Sequence, residues 1–393
     1  MNSPPSQHRI PFWRDERILH ILSQVFVFVA VASTIYWLYA NMTRSLAAIN
    51  LPISFRFLSI TAGFDIGQTL IEYSRSSTYL QAYFVGVLNT VIVALWGNLF
   101  ATVLGIIVGV SWLSSNWLVS RLARIYIEIF RNIPLLVFLI FWYGGVFLKL
   151  PSVQDALAIG PLIFSNRGVS MPWGIPTETF QTFLFLLAGG IVVAIGVGYV
   201  LTRQGKKTGR MPLITLWSLL TFLGVALVGW FVLPQAPLLF EIPAKPETGF
   251  NIVGGNTFSP EFMALLSGLV LYTAAFIGEV VRAGIQAVSK GQTEAARALG
   301  LTGFQTLRLV VFPQALRVII PPLTSQYLNL TKNSSLAVAV GYPDLVQVYG
   351  TIINQSGRAV EMTAIMMATY LSFSLLTSLV LNVYNKRIQL VER

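Results

Sequence analysis

The stretch EAARALGLTGFQTLRLVVFPQAL, residues 294–316, is a short polar interruption between two long apolar segments. Thr293 can cap a helix that begins at Glu294, because a hydroxyl there accepts a hydrogen bond from an unpaired N–H group. Glu294 and Arg297 complement the two ends of the helix dipole. Gly300 follows at the position where helices commonly end in a left-handed residue. The stretch therefore predicts a short, rigid helix outside the bilayer.

A second short helix is predicted directly after the first. Thr302 offers a second cap, and residues 303–312 can be helical until Pro313 ends the helix or opens the next apolar segment. The small side chains of the first helix would let the backbone of another protein approach closely. An amphipathic helix on the membrane surface is the alternative, but the first helix is too small and too mixed in polarity to bind lipid well. Docking to a protein is the favoured interpretation.

The composition of the chain indicates an integral membrane protein. Of its 393 residues, 55% are hydrophobic and 10% are charged, and the mean hydropathy is +0.70. Soluble domains carry about 25% charged residues. The chain has no cysteine, which excludes disulfides and thiolate metal sites, and its two histidines, His8 and His20, lie near the N-terminus. In a membrane protein the net charge of +11 reports sidedness rather than nucleic-acid binding.

Eight segments are long and apolar enough to span a bilayer, which takes roughly 20 mostly apolar residues. They are residues 20–40, 80–112, 124–148, 179–201, 212–233, 262–281, 314–340 and 361–384. The predicted fold class is therefore an all-α integral membrane protein with about eight transmembrane helices. The outer connections are expected to be loops with amphipathic pieces, and residues 234–260, rich in Pro and Gly, are expected to be loop throughout.

The distribution of Lys and Arg predicts the orientation. Most of the basic residues fall on one side if the N-terminus is cytoplasmic, and the loop TRQGKKTGRM, residues 202–211, has four of them and no acid. Cytoplasmic loops carry an excess of Lys and Arg. Both termini are thus expected in the cytoplasm, together with residues 294–316.

The order of residues in the polar stretch resembles the EAA loop, which marks permease subunits of ABC importers. Glu294-Ala295-Ala296 is followed by Gly300, a nine-residue spacer and VVFP at 310–313, where the family pattern has I-x-L-P. The resemblance implies that this loop is a cytoplasmic coupling helix that inserts into a cleft on the ATPase subunit. The residues assigned to ATPase coupling are Glu294, Ala295, Ala296, Arg297, Leu299, Gly300 and Leu301.

Four further stretches are similar to the polar amino-acid branch of these permeases, which serves histidine, arginine, glutamine and glutamate uptake. They are residues 83–110, 124–144, 276–301 and 327–345. The long N-terminal region and residues 165–172 resemble the larger permease chains of general and acidic or amide amino-acid importers. The resemblance implies a type I importer core of five helices, namely predicted spans two, three, six, seven and eight.

The predicted domain organisation has four parts. Residues 1–19 form a cytoplasmic tail, and residues 20–79 hold an extra first helix and a periplasmic segment. Residues 80–385 form the importer transmembrane domain, with inserted helices and loops at about 149–261. Residues 386–393 form a second cytoplasmic tail.

A polar patch in the seventh span is the strongest candidate for the substrate pathway, because charged groups inside spans are costly and usually functional. Asn329, Lys332 and Asn333 share one helix face. The Lys332 ammonium could meet a substrate carboxylate; alternatively it pairs with an acid or extends to the surface. Asn89 and Asn98 in span two either join helices or touch substrate. The candidate pathway residues are Asn329, Lys332, Asn333, Ser334, Ser335 and Asn89.

Two acid–base pairs with the same spacing are candidates for an inner gate. Glu128 and Arg131 lie at the cytoplasmic start of span three, and Glu279 and Arg282 lie at the cytoplasmic end of span six. The pairs could exchange partners as subunits rock. The alternative is two local helix pairs that stabilise the fold little.

The chain lacks a nucleotide-binding motif of its own. A P-loop requires G-x-x-x-x-G-K-[ST], whereas residues 200–207 have Val200 for the first Gly and Lys207 for the Ser or Thr. The chain is therefore expected to be a transport subunit and not an enzyme, and to hold no cofactor or metal.

The resemblance implies a set of partners and a location. ATP and Mg²⁺ are expected on partner ATPase subunits. A second homologous permease chain, a periplasmic solute-binding protein, membrane lipid and the amino-acid substrate complete the expected partners, with no nucleic acid among them. The expected location is the bacterial inner membrane.

A secondary transporter and a membrane scaffold are the two alternatives to the importer. A secondary amino-acid transporter driven by an ion gradient usually carries acids at mid-depth, and none is evident in the predicted spans. A membrane scaffold with no transport function would leave Lys332 unexplained.

Overall fold

The protein is described by a computed structural model that covers residues 16–208, 213–246, 249 and 251–388. Parts of five predicted features lie outside the described residues. They are residues 1–15 of the N-terminal tail, residues 209–211 of the basic loop, residue 212 of the fifth span, residues 247–248 and 250 of the loop 234–260, and residues 389–393 of the C-terminal tail.

The described part of the chain is mostly helical. Its α-helices are α1 (Glu16–Ala48), α2 (Tyr79–Trp112), α3 (Trp117–Asn132), α4 (Leu135–Ile140), α5 (Phe180–Thr208), α6 (Ile214–Val232), α7 (Pro260–Gln286), α8 (Lys290–Ala298), α9 (Gly303–Thr306), α10 (Phe312–Asn333), α11 (Leu345–Ser356) and α12 (Ala359–Ile388). Shorter 3₁₀ turns cover Arg56–Ser59, Phe147–Lys149 and Ser334–Val340, and π-helical turns cover Phe141–Val146 and Leu307–Val311.

Seven described helical segments are long and apolar enough to cross a membrane, and an eighth counts if one bent pair is taken as a single span. The predicted fold class of about eight spans is confirmed. The prediction of one continuous helix over 124–148 is wrong, because α3 and residues 135–149 meet at 105°. Pro134 lacks a backbone N–H, and its ring drives Ile133 into an extended conformation.

Glycines allow α2 and α7 to pack closely. A Cβ atom at Gly109 would lie 2.5 Å from the carbonyl oxygen of Gly278, and one at Gly105 would lie 2.6 Å from the side chain of Ile277. Close approach at small residues is the usual basis of helix association in membranes, where lipid removes the hydrophobic drive between helices. The α2–α7 contact is therefore the centre of the bundle.

The apolar core joins helices from all five predicted core spans. One buried cluster combines residues of α2, α4, α7 and α10, including Leu139, Leu269 and Ile319. A second joins α2, α11 and α12 through Tyr83, Leu345 and Met362. The helices α5 and α6 pack on each other, with Val225 against Gly190 and Leu186 against Gly229. The predicted domain boundaries stay a prediction.

Short strands replace the loops that were expected between α4 and α7. The strands β1 (Leu157–Ile159), β2 (Leu162–Ser165), β3 (Gly168–Met171), β4 (Trp173–Pro176), β5 (Leu238–Glu241) and β6 (Asn256–Phe258) are antiparallel. They form a four-stranded sheet in the order β1-β2-β3-β6 and a β4–β5 pair. The prediction that residues 234–260 are loop throughout is therefore wrong. The strands β5 and β6 pair with β4 and β3 on the other side of the α5–α6 hairpin, so no local pattern reveals them.

Candidate functional site

The polar stretch forms the compact helical turn that its sequence predicts, with one correction at the start. Helix α8 begins at Lys290 with Ser289 as the preceding residue, so Thr293 does not cap it and Glu294 lies in its middle. The backbone of Ser289, at φ −59° and ψ 141°, is not helical, and the helix begins at the next residue. We call residues 290–306, which comprise α8, α9 and the turn between them, the EAA segment.

The end of α8 is closed by a Schellman motif. The Leu301 N–H donates to the Ala296 carbonyl at 3.2 Å, and the Gly300 N–H donates to the Arg297 carbonyl at 2.9 Å. Gly300 has a φ of +80°, the left-handed conformation in which L side chains are strained. The predicted glycine exit of the helix is confirmed. The path of the chain after α8 therefore depends on Gly300.

The start of α9 is closed by a capping box. The Thr302 hydroxyl accepts from the Gln305 N–H at 3.3 Å, and the Gln305 side chain accepts from the Thr302 N–H at 2.9 Å. The predicted cap is confirmed. Pro313 lies in the first turn of α10 and does not end the second helix, which continues through a π turn into the span.

The EAA segment exposes large apolar side chains to its surroundings. Leu299 is 83% exposed and Phe304 is 71% exposed. Ala296 is buried, whereas Glu294, Ala295, Arg297 and Gly300 are exposed. The Gln314 amide donates to Gln292 at 3.1 Å and so ties α8 to α10. A rigid element that presents apolar side chains away from its own core is suited to bind a partner.

The polar patch of the seventh span lies where α10 ends. Lys332 and Asn329 are exposed at the surface of the bundle, Asn333 and Ser335 are half-buried, and Ser334 is buried. The Ser334 hydroxyl donates to the Thr331 carbonyl at 2.7 Å, and the chain changes from α to 3₁₀ at this residue. Within the described part of the chain Lys332 makes no ion pair.

Asn89 lies apart from this exposed patch. It is 1% exposed, and its amide donates to the backbone carbonyls of Gln68 at 2.9 Å and Pro343 at 2.8 Å. The side chain thus joins the segment before α2 to the loop before α11. This placement favours the interpretation that Asn89 connects structural elements.

The four candidate gate residues form one ion pair and two cation–aromatic contacts. Arg282 donates to both carboxylate oxygens of Glu279 at 3.0 and 2.5 Å, and its guanidinium lies 4.7 Å from the ring centre of Trp112. Arg131 lies 5.4 Å from the ring centre of Phe276, one turn before Glu279. The expected Glu128–Arg131 pair is not among the ion pairs of the described residues. Attraction to the negative ring face of Phe276 holds Arg131 instead.

Asp344 is a buried acid that the sequence analysis missed. Its carboxylate caps α11 by accepting from the Gln347 N–H at 2.9 Å, while Oδ2 is buried with no hydrogen-bond partner. Burial raises the pKa of Asp344 from 3.8 to about 7, against the lowering effect of backbone hydrogen bonds. The signal in the sequence was the order Gly-Tyr-Pro-Asp before an apolar helix, which is typical of a capping position.

The raised pKa of Asp344 predicts a pH-dependent stability. The folded protein binds this proton more tightly than the unfolded chain, so stability falls as pH rises from about 4 to about 7 and the loss is complete above that. Asp344→Asn keeps the cap and removes the ionisation. We expect it to raise the midpoint of thermal unfolding more at pH 8 than at pH 4.5, whereas Asp155→Asn at an exposed position shifts both midpoints equally. If Asp344→Asn shifts the unfolding midpoint by the same amount at pH 4.5 and at pH 8, the raised pKa of Asp344 is contradicted.

The bundle, its glycine-packed centre and its capped segment define a multi-span membrane protein with a short helical element between two of its spans. Residues 190–390 match the family of binding-protein-dependent transport system inner membrane components. The chain belongs to this family, as relatives of nearly full length also show.

Three similar relatives are amino-acid permeases by their names. The chain is 45% identical to the general L-amino acid transport system permease protein AapQ of Rhizobium johnstonii, over 96% of this chain and 94% of that one. It is 45% identical to the putative amino-acid ABC transporter permease protein YhdX of Escherichia coli, over 95% and 94%. It is 40% identical to the glutamate/glutamine/aspartate/asparagine transport system permease protein BztB of Rhodobacter capsulatus, over 96% of each. The resemblance to amino-acid ABC transporter permeases is confirmed.

Proposed function

We propose that this chain is the permease subunit of an importer that moves polar L-amino acids into the cytoplasm, driven by separate ATPase subunits. ATP and Mg²⁺ are bound on those subunits, which dock on Glu294–Leu301. The observation that carries the proposal is the Schellman-closed α8, with Gly300 at φ +80° and Leu299 83% exposed. The names of the relatives support the substrate class.

The orientation and the remaining partners are part of the same proposal. The excess of Lys and Arg supports cytoplasmic termini in the bacterial inner membrane, with the EAA segment on the cytoplasmic side. A second homologous permease chain packs against this one within the lipid bilayer. A periplasmic solute-binding protein delivers the amino acid at the end of the bundle that carries the sheets.

Within the membrane, Asn329, Lys332 and Asn333 contact the substrate, with the Lys332 ammonium opposite its carboxylate. The exposure of Lys332 and its lack of an ion pair in the described residues support this role. Ser334 and Ser335 shape the turn where α10 becomes a 3₁₀ helix. Asn89 acts indirectly, by holding the loop before α11 through the Pro343 carbonyl.

The inner gate involves the Glu279–Arg282 pair together with Arg131. All three side chains lie near one end of α7, and both arginines rest against aromatic rings. Glu128 is exposed and free to pair when the helices shift. Rearrangement of these pairs closes the pathway on the side of the ATPase subunits.

Reconstitution of the complex tests the proposed function. The chain is purified with the products of its neighbouring genes and placed in lipid nanodiscs, and ATP hydrolysis is measured with and without amino acids and binding protein. We expect hydrolysis to rise with polar L-amino acids. Uptake that proceeds in vesicles without ATPase subunits and follows an ion gradient would instead establish the secondary transporter.

Replacing Lys332 tests the pathway. Lys332→Gln removes a charge-assisted contact worth about 1.5–3 kcal/mol, so the KM for transport should rise about tenfold or more. Lys149→Gln is the matched control, because Lys149 is exposed and lies outside the patch. Assembly of the complex should be unchanged in both. Unaltered transport kinetics in the Lys332 variant would remove the residue from the pathway.

A further inference from the structure

A groove of about 710 Å³ lies beside the EAA segment. One side consists of the end of α2 and the turn before α3, including Ser114 and Ser115. The other consists of Thr293 and Arg297 of α8 and Phe304 of α9. The groove therefore separates the proposed docking element from the turn between two core helices.

A buried hydroxyl in this groove has no partner. Thr306 is 3% exposed and lines the groove, and its Oγ1 atom makes no hydrogen bond within the described residues. Threonine hydroxyls in helices often donate to the carbonyl four residues earlier, as Thr324 and Thr331 do in α10. Thr306 therefore has an unsatisfied hydroxyl among the residues that line the groove, and a group bound there could satisfy it.

The charge of the groove defines what it accepts. Its lining has one cation, Arg297, and no acidic residue. Arg297 makes no ion pair within the described part of the chain. The rest of the lining is uncharged and combines hydroxyl groups, such as those of Ser111, Ser114 and Ser115, with apolar side chains such as Val110 and Leu307. This combination fits a carboxylate that is carried beside a bulky apolar side chain.

We propose that the groove receives such a pair of side chains, one acidic and one apolar, from the docked ATPase subunit. The inference rests on the proposed function, because it assigns the partner of the same end of the bundle. Phe304 lines the groove and is also exposed, so one continuous surface runs from α8 across the groove to the turn before α3. The ATPase contact then extends beyond the EAA motif and reaches α2 and α3 directly.

Introducing a negative or a positive charge at position 115 tests this inference. Ser115 lies outside the EAA segment and is exposed, so both Ser115→Glu and Ser115→Lys are expected to fold. The affinity of purified ATPase subunits for the permease complex in nanodiscs is measured for each variant. Ser115→Glu should weaken binding about tenfold through repulsion of the carboxylate, and Ser115→Lys should retain or tighten it. Ser76→Glu and Ser76→Lys, at an exposed position in the turn before the other end of α2, are the matched controls and should change nothing.

The outcomes separate this inference from the proposed function when Gly300→Val is measured alongside. Loss of binding in Gly300→Val with wild-type affinity in both Ser115 variants overturns the groove inference and leaves ATPase docking intact. Equal weakening by Glu and Lys shows a steric effect and overturns the charge assignment. If Gly300→Val and both Ser115 variants all bind the ATPase subunits with wild-type affinity, docking on the EAA segment itself is overturned.

Discussion

Gly300→Val is expected to abolish most ATP-driven transport while the membrane helices stay folded. A side chain at φ +80° costs about 1–2 kcal/mol, and more for a β-branched residue, so the turn after α8 must change its path. No atom lies within 4 Å of the position that a Cβ would occupy, so the effect comes from backbone strain and not from a clash. The affinity for ATPase subunits should fall about tenfold or more.

Gly291→Val is the matched control for this experiment. Gly291 lies on the same helix, has open space around it and has no positive φ. The measurements are amino-acid-stimulated ATP hydrolysis and the binding of ATPase subunits, with thermal unfolding of the permease as the test of folding. Full stimulated hydrolysis in the Gly300 variant would refute a coupling role for the segment.

Gly109→Ala is expected to destabilise the whole bundle. The added methyl carbon would lie 2.5 Å from the Gly278 carbonyl oxygen and 2.8 Å from Cβ of Val281, so α2 and α7 must separate. Backbone atoms cannot rotate away as a flexible side chain can, and overpacking of this kind costs about 1–3 kcal/mol. Transport should fall together with stability, because α2 and α7 carry the core contacts of the other helices.

Gly189→Ala separates this packing effect from the helix propensity of alanine. Gly189 lies in α5 with no neighbour within 4 Å, so its replacement should leave stability unchanged or slightly raised. Thermal unfolding of the purified permease in one detergent gives the comparison. Equal unfolding temperatures for the two variants would show that close packing at Gly109 is not required.

The EAA segment could be predicted because its determinants are local. Gly300 and Thr302 act on backbone groups within five residues, so the glycine exit and the capping box follow from the order of residues alone. The start of α8 was placed four residues too late at Glu294, because a threonine inside a helix resembles a cap when only sequence is considered. The bend at Pro134 also has a local cause, but residues 124–148 were assigned as one span because they are apolar on both sides of it.

The candidate site in the membrane was less predictable, because side-chain partners come from distant segments. Arg131 was expected to pair with Glu128 one turn away, whereas Phe276 of α7 holds it in the fold. Asn89 donates to the carbonyl groups of Gln68 and Pro343. These residues are distant from Asn89 in the sequence, so no helical periodicity predicts the contacts.

Hydropathy and capping along the chain are enough to establish a membrane protein of about eight spans with a rigid segment between two of them. Capping depends on residues within about one helix turn, and hydropathy depends on the roughly 20 consecutive residues that cross a bilayer. Tertiary structure alone pairs residues 168–171 with 256–258, buries Asp344 and opens the groove beside Arg297. Those features depend on which distant surfaces meet, because pairing, desolvation and cavity shape arise between segments and not within them.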